Sequence, residues 1–412
     1  MGLEITTIGE VLEKIVGGGT PSKQRPDYWD GSIPWASVKD MADGQYKLAN
    51  TKDSITIEGL NNSASNLIPS GNVIISTRMG LGRVYINKVD MAINQDLKAL
   101  FPKKDVNNKY LLWYMASIAN KIQAIGSGTT VKGIRVEQLK SLEFIKPPIN
   151  TQNKIAAILS AYDDLIENNL RRIKILEEMA QNLYREWFVN FRFPGHENTR
   201  FVDSPLGKIP EGWEVKCLKD LLIFKNKGTK AGEHLNNLAY LPIDLLPRKS
   251  LAISEVKPWE EAKSSLHLFE EGDFLFGAMR PYFHKVAEAP FNGVTRKTCF
   301  VFASKNPQYR AFALLTLFQE STVAYANAHS KGATIPYAVW PNAMDNMQFA
   351  MPPKKYAAVF ENTVGPIIAR IKMTYHLNNI LRQTRDLLLP KLISGEVDVS
   401  ELDIKVPEEV VS

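Results

Sequence analysis

Three stretches place aromatic, hydroxyl and cationic side chains side by side: Thr20-Pro-Ser-Lys-Gln-Arg-Pro-Asp-Tyr-Trp29, Trp35-Ala-Ser-Val-Lys-Asp40 and Arg280-Pro-Tyr-Phe-His-Lys285. Loops of this kind can touch phosphates through Lys and Ser/Thr, and reach base edges through Arg, Gln, Asn or Lys. Each stretch taken singly fits equally well an ordinary polar loop built round one packed aromatic. As a set they point to binding, and they nominate Lys39, Arg78, Gln95 and Lys132 in the first half of the chain. Arg280, Tyr282, Lys297 and Lys331 are the nominees in the second half, because they stand in polar loops or beside strand ends that recur along the sequence.

Patterns that would support catalysis are incomplete. Neither Gly17-Gly-Gly-Thr-Pro-Ser-Lys23 nor Gly126-Ser-Gly-Thr-Thr-Val-Lys132 ends in the Gly-Lys-Ser/Thr that a phosphate-cradling loop needs. Gly80-Leu-Gly-Arg-Val-Tyr85 lacks the third glycine and the following helix of a dinucleotide fingerprint, and reads as a plain turn. Asn306-Pro-Gln-Tyr309 has glutamine where an amino-methylating motif needs a second proline. Asp244 with Glu255-Val-Lys257, and Asp203 with Glu214-Val-Lys216, have the loose spacing of a metal nuclease, and finding it twice marks it as solvated surface. Six scattered histidines form no metal-ligand pairs at helical spacing, so no metal or catalytic residue is expected.

The chain has 412 residues, suited to two domains with connecting elements, and 44% hydrophobic residues are enough for real cores. A formal charge of +6 favours an anionic partner, though weakly by itself. Cys217 and Cys299 stand in unrelated contexts, which argues against a disulfide framework and fits a reducing compartment. No apolar run is long enough to cross a bilayer, and Met1–Gly19 carries acidic residues and no cleavage pattern, so a cytoplasmic protein is expected.

These residues are organised by a duplication at a spacing of about 205 residues. Glu4–Val11 is echoed by Trp213–Leu221, each a short alternating stretch that opens a domain. Ser70-Gly-Asn-Val-Ile-Ile-Ser-Thr-Arg78 matches Glu271-Gly-Asp-Phe-Leu-Phe-Gly-Ala-Met-Arg280, a glycine turn feeding a buried strand that ends near an arginine. Gly128–Ile134 matches Gly332–Ala338, and both lead to a double proline, Pro147-Pro148 and Pro352-Pro353. Each double proline precedes a long helical pattern, as expected of a residue tolerated at a helix start.

In the first helix, steps of four and three select Ile155, Leu159, Tyr162, Ile166, Asn169, Ile173, Leu176, Ala180, Leu183 and Trp187. The same register in the second selects Phe360, Val364, Ile367, Ile371, Thr374, Asn378, Leu381, Arg385, Leu388 and Leu392. The two seams suit an antiparallel pair, and a helix over Gln152–Asn190 would be about 57 Å long. Asn169 either fixes the register of the pair or lies at a solvated edge. Short strand-like runs at Val73–Ser76, Val84–Asn87 and Phe300–Phe302, with helical patterns at Lys109–Ile125 and Pro307–Ala328, make each repeat α+β. The expected fold is thus two pseudo-repeated α+β domains, residues 1–149 and 200–350, separated by two long antiparallel coiled-coil helices in segments 150–199 and 351–412.

The run Gly18-Gly-Thr-Pro-Ser-Lys-Gln-Arg-Pro-Asp-Tyr-Trp-Asp-Gly-Ser-Ile-Pro-Trp-Ala-Ser-Val-Lys-Asp-Met41 resembles the opening motif of the specificity subunits of type I restriction-modification systems. Pro147–Ile155, Leu176–Phe188 and Leu387–Glu396 resemble the same family, so the likeness spans nearly the whole chain. It implies a non-catalytic subunit whose two target-recognition domains each read half of a bipartite site in double-stranded DNA, with the paired helices setting the unread spacer. It further implies two docked methyltransferase (modification) subunits that carry S-adenosylmethionine, and ATP-dependent restriction/translocase subunits that join later. This chain would then have no cofactor of its own and no membrane association. The second domain departs from the pattern in lacking a Gly-Gly-Thr-Pro opening. The alternatives are a free-standing DNA-binding regulator, which would not need two long matched helices, and a coiled-coil scaffold that binds no DNA; only a specificity subunit uses the duplication, the matched seams and the missing chemistry together.

Overall fold

The computed structural model describes residues 4–41, 44–127, 133–253, 255–263 and 265–407. The chain forms two compact units, one of residues 1–167 with 379–412, the other of residues 168–378. The first is therefore discontinuous in sequence. Each long helix contributes one part to each unit.

The first unit is built on a sheet of β1 (Leu12–Gly17), β2 (Val73–Ser76), β3 (Val84–Asn87) and β4 (Leu97–Pro102), with Lys47–Leu48 added beyond β3. The spatial order is β1-β4-β2-β3, antiparallel throughout these four. Successive side chains of a strand point to opposite faces, and both faces here are covered. Val73 and Ile75 pack towards α1 (Asn108–Ser117), where Tyr110, Trp113 and Phe144 fill the core, whereas Ile74 packs with Ile93 and Ala99. A smaller sheet runs Asp53–Ile55, Trp29–Ala36, Met91–Ile93, Leu67–Ile68. The long helix α2 (Ile149–Tyr184) follows.

The second unit repeats this plan. Its strands β5 (Leu222–Lys225), β6 (Phe274–Gly277), β7 (Val286–Glu288) and β8 (Cys299–Ser304) pair in the order β5-β8-β6-β7. Phe274 and Phe276 face α3 (Arg310–Leu317), and Leu275 faces the opposite layer with Leu241 and Val301. The small sheet again joins a parallel pair, Ala239–Leu241 with Gly293–Arg296, to an antiparallel neighbour, Leu266–Phe269. The strand at Asp53–Ile55 shrinks here to a single bridge between Tyr240 and Lys257, and Gly228–Thr229 is added at the other edge. The second long helix, α4 (Lys354–Ser394), closes the repeat.

Several sequence expectations change in detail. The opening stretches are only half extended: after Glu4–Thr7 the chain turns helical over Ile8–Val11, where Thr7 and Glu10 form a capping box. Leu218–Leu221 does the same after Glu214–Cys217. The helical patterns at 109–125 and 307–328 are each interrupted, at Ile118 and at Gln319, where the backbone leaves the helical region. The helix expected over Gln152–Asn190 starts at Ile149 and ends in a wider turn over Arg185–Val189. α4 passes through Pro366 and Pro390, neither of which can donate a backbone hydrogen bond. Gly395, at φ 78°, ends it in the left-handed conformation that suits a residue without Cβ.

Within the first unit, Ile155 and Leu159 of α2 pack against Leu389, Leu392 and Ile393 of α4. Asp163 meets Arg385 at 3.1 Å, and the Arg385 side chain is only 1% exposed. Lys47 adds ion pairs to Asp163, Asp164 and Glu167, and the Arg385 guanidinium lies 4.7 Å from the Tyr46 ring centre. Burial pushes the Asp163 carboxyl up, and Lys47 and Arg385 oppose that.

Within the second unit, Tyr184, Trp187 and Phe188 pack on Phe360. Asn169 donates through Nδ2 to Asn378 Oδ1 at 2.8 Å, both side chains buried, so the polar seam position is paired. Ile166 and Ile173 are buried, while Tyr162, Leu176 and Leu183 are half-buried. Val364 and Ile371 are buried too, but Ile367, Leu381 and Leu388 are half-buried, because the stripe runs through Ile368, Tyr375 and Leu389. A straight helix of 3.6 residues per turn drifts from a strict seven-residue repeat, and this shift of one residue is that drift.

Candidate nucleic-acid interface

The end of β2 and the end of β6 are built alike. Ile134 donates its backbone N–H to Thr77, and Arg78 bridges Gly133; Ala338 donates to Ala278, and Met279 bridges Tyr337. Met79 at φ 48° and Arg280 at φ 52° then occupy the same left-handed position. The counterpart of Arg280 is therefore Met79, and the counterpart of Arg78 is Met279. The arginine has moved by one residue between the copies, and consecutive side chains at a strand end leave in different directions.

Arg78 is exposed and sits 3.9 Å from Asp96. Gln95, also exposed, accepts from the Thr20 hydroxyl at 2.5 Å, which joins the opening loop to the loop before β4. Lys39 projects from the short turn Val38–Asp40, held by Ser37 and Asp40. Burial lowers the ammonium pKa of Lys98 on β4, and Arg78 pushes it the same way. Arg78, Gln95 and Lys39 thus stand on exposed loops of the first unit. Lys132 lies outside the described residues.

In the second unit Arg280 donates its backbone N–H to Pro336, and its Nε is buried with no hydrogen-bond partner. Tyr282 is exposed on the turn Pro281–Phe283 and packs edge-on to Phe283. Lys297 and Lys331 are both exposed, Lys297 between two strands and Lys331 where its backbone bridges Tyr337. Beside Arg280 runs a cleft with two lobes of about 370 and 410 Å³, which share Ile243, Asp244, Leu245 and Met279. Arg248, Arg280 and Glu255 line one lobe, and Lys257, Arg296 and Thr298 line the other. Under it Lys285 donates to the carbonyls of Ile243 and Asp244, and burial lowers its pKa.

Arg248 went unnoticed in the sequence, and Phe283 stood out only as part of the stretch Arg280–Lys285. The Arg248 guanidinium lies 3.8 Å from the centre of the Phe283 ring. The two are far apart in sequence, and the cation after Pro247 was the only local hint. The loop that carries Arg248 is held from α2, where Glu177 accepts from the Ser250 hydroxyl at 2.7 Å and from the backbone N–H of Leu251 and Ala252. Among the described residues no group of three or more His, Cys, Asp and Glu could hold a metal ion, and no helix is long and apolar enough to cross a membrane.

Residues 2–178 match the family model described as type I restriction modification DNA specificity domain. The chain is 29% identical to the type I restriction enzyme MjaIX specificity subunit of Methanocaldococcus jannaschii, covering 97% of this chain and 94% of that one. Nearly the whole chain is thus similar to a type I specificity subunit. A type I restriction enzyme specificity subunit of Escherichia coli is 35% identical over 47% of this chain and 49% of its own length. The fold agrees with the crystal structure of a type I restriction-modification S subunit from M. genitalium, with a TM-score of 0.57, 14% identity, and coverage of 95% and 96% of the two chains. The chain thus shares its fold with a protein of very different sequence.

Proposed function

We propose that this chain selects the DNA sequence on which a type I restriction-modification complex acts, and performs no catalytic step itself. The first α+β repeat would read one half of a bipartite site and the second the other. The duplicated strand-end scaffold carries this reading: one backbone plan appears twice, with different side chains at its rim. A regulator with one recognition surface would need neither the second copy nor the paired seams of α2 and α4.

In this reading α2 and α4 set the unread spacer and offer the surface on which two methyltransferase subunits dock. S-adenosylmethionine and ATP would be held by the methyltransferase and restriction/translocase partners, and the complex would work in the cytoplasm. The net charge of +6 favours DNA, since displaced counterions drive binding to phosphates. The test is co-expression with the cognate methyltransferase subunit and genome-wide mapping of methylated adenine, with residues 200–350 exchanged for those of a relative. A bipartite motif of which one half changes is expected. Absent or unaltered methylation would refute the reading.

A further inference from the structure

We propose that Arg248 is the principal specificity-determining residue of the second repeat, and that it reads a guanine in a G·C pair from the major groove. The inference rests on the DNA-reading role proposed above and names a residue and a base class within it.

Arg248 is exposed and, among the described residues, makes no hydrogen bond or ion pair. Among the described residues its partner is the Phe283 ring, 3.8 Å from the guanidinium. Stacking fixes the plane of the guanidinium and leaves its N–H edge open, whereas a contact to phosphate needs charge but no fixed plane.

Both sides of the stack are anchored. On one, Glu177 ties down Ser250, Leu251 and Ala252, the Lys249 ammonium meets Glu320 at 3.0 Å, and the Lys249 N–H donates to the His284 carbonyl at 2.8 Å. On the other, Phe283 sits in a turn whose flanking residues, Arg280 and His284, are both left-handed, at φ 52° and 51°. The His284 ring is buried and bonded to the Phe318 carbonyl, which locks the turn onto the helical layer. Such strained residues persist where the surroundings hold them, and they often support a binding site.

The cleft beside Arg248 also holds the Arg280 Nε, buried without a partner, and the carboxylates of Asp244 and Glu255. In the major groove a guanine offers two acceptors, O6 and N7, that a guanidinium fork matches, while its paired cytosine offers the N4 donor that a carboxylate accepts. No other base pair presents that combination in that order. Cations and carboxylates on one rim therefore fit a G·C edge better than a phosphate run, which the carboxylates would repel.

The experiment uses the assembled methyltransferase complex with the full chain, and measures methylation rates on oligonucleotides carrying each single base-pair change in both half-sites. The wild-type complex should discriminate strongly at one G·C pair of the second half-site. Arg248→Ala should lower the discrimination at that pair alone by about 10- to 100-fold. Arg248→Lys, which keeps the charge but not the fork, should lose discrimination while keeping the salt dependence of binding. The first half-site should be unaffected in both variants. Uniform weakening on every sequence, no change, or a second half-site without a G·C pair would overturn the assignment. A wild-type complex with no bipartite preference at all would instead refute the broader function.

Discussion

The buried pair Asp163–Arg385 gives a sharp test of what holds the first unit to its helices. Replacing Arg385 by Met keeps the apolar volume but strands Asp163, whose side chain is 9% exposed. Removing one partner of a buried pair costs about 3–5 kcal/mol. Lys47, at 3.8 Å from Asp163, remains to share the charge, so a cost near the lower end, about 3 kcal/mol, is expected. Asp163→Asn should cost less, because Arg385 still has Asp386 at 3.0 Å and stacks on Tyr46. The double variant should be less destabilised than the sum of the two, with a coupling of roughly 2 kcal/mol. Urea denaturation, followed by fluorescence and resolved by unit, measures all four corners of the cycle. A cost for Arg385→Met below about 1 kcal/mol, or additive single effects, would show that water reaches the site and that the pair does not hold the helices.

Phe360→Ala should destabilise the second unit by about 3–5 kcal/mol, read as a lowered denaturation midpoint, since the ring packs on Tyr184, Trp187 and Phe188. Burial raises the Glu177 pKa above its ordinary value, so the folded state holds that proton more tightly, and the resulting stability, full below the unfolded pKa, is lost as pH rises through the folded one. Glu177→Gln should therefore gain stability relative to the native chain as pH rises above the ordinary carboxylate range, and a pH-independent difference in thermal midpoint would contradict this. Asn169→Leu removes the buried hydrogen bond to Asn378 and should cost about 1–3 kcal/mol, whereas the double change to leucine should restore much of it, as thermal unfolding would show.

The duplication was legible because glycine turns and double prolines constrain the backbone wherever they stand: Gly71 at φ 83° and Gly272 at φ 89° mark the same turn in both copies. The seam was legible at Ile155, Ile166, Phe360 and Val364, where the apolar step is unambiguous. It drifted at Ile367, because sequence spacing cannot show where a helix leaves a seven-residue period. Equating Arg78 with Arg280 was the subtler miss. Both end a buried strand, and only the bridges to Gly133 and Tyr337 reveal the offset of one residue. Arg248 and Glu177 were invisible because their partners, Phe283 and the Ser250–Ala252 backbone, are brought to them only by the tertiary fold.

The discontinuity of the first unit sets an order of events during synthesis. Its core includes Leu389, Leu392, Ile393 and Val399, which leave the ribosome after the contiguous unit of residues 168–378. At about 5–20 residues per second, the first repeat waits at least about ten seconds for the segment that covers Ile155 and Leu159. A chain cut short after residue 378 would hold the second unit complete and leave the apolar face of the first uncovered. Such a product would present that face to chaperones and proteases, as transiently exposed apolar surface does.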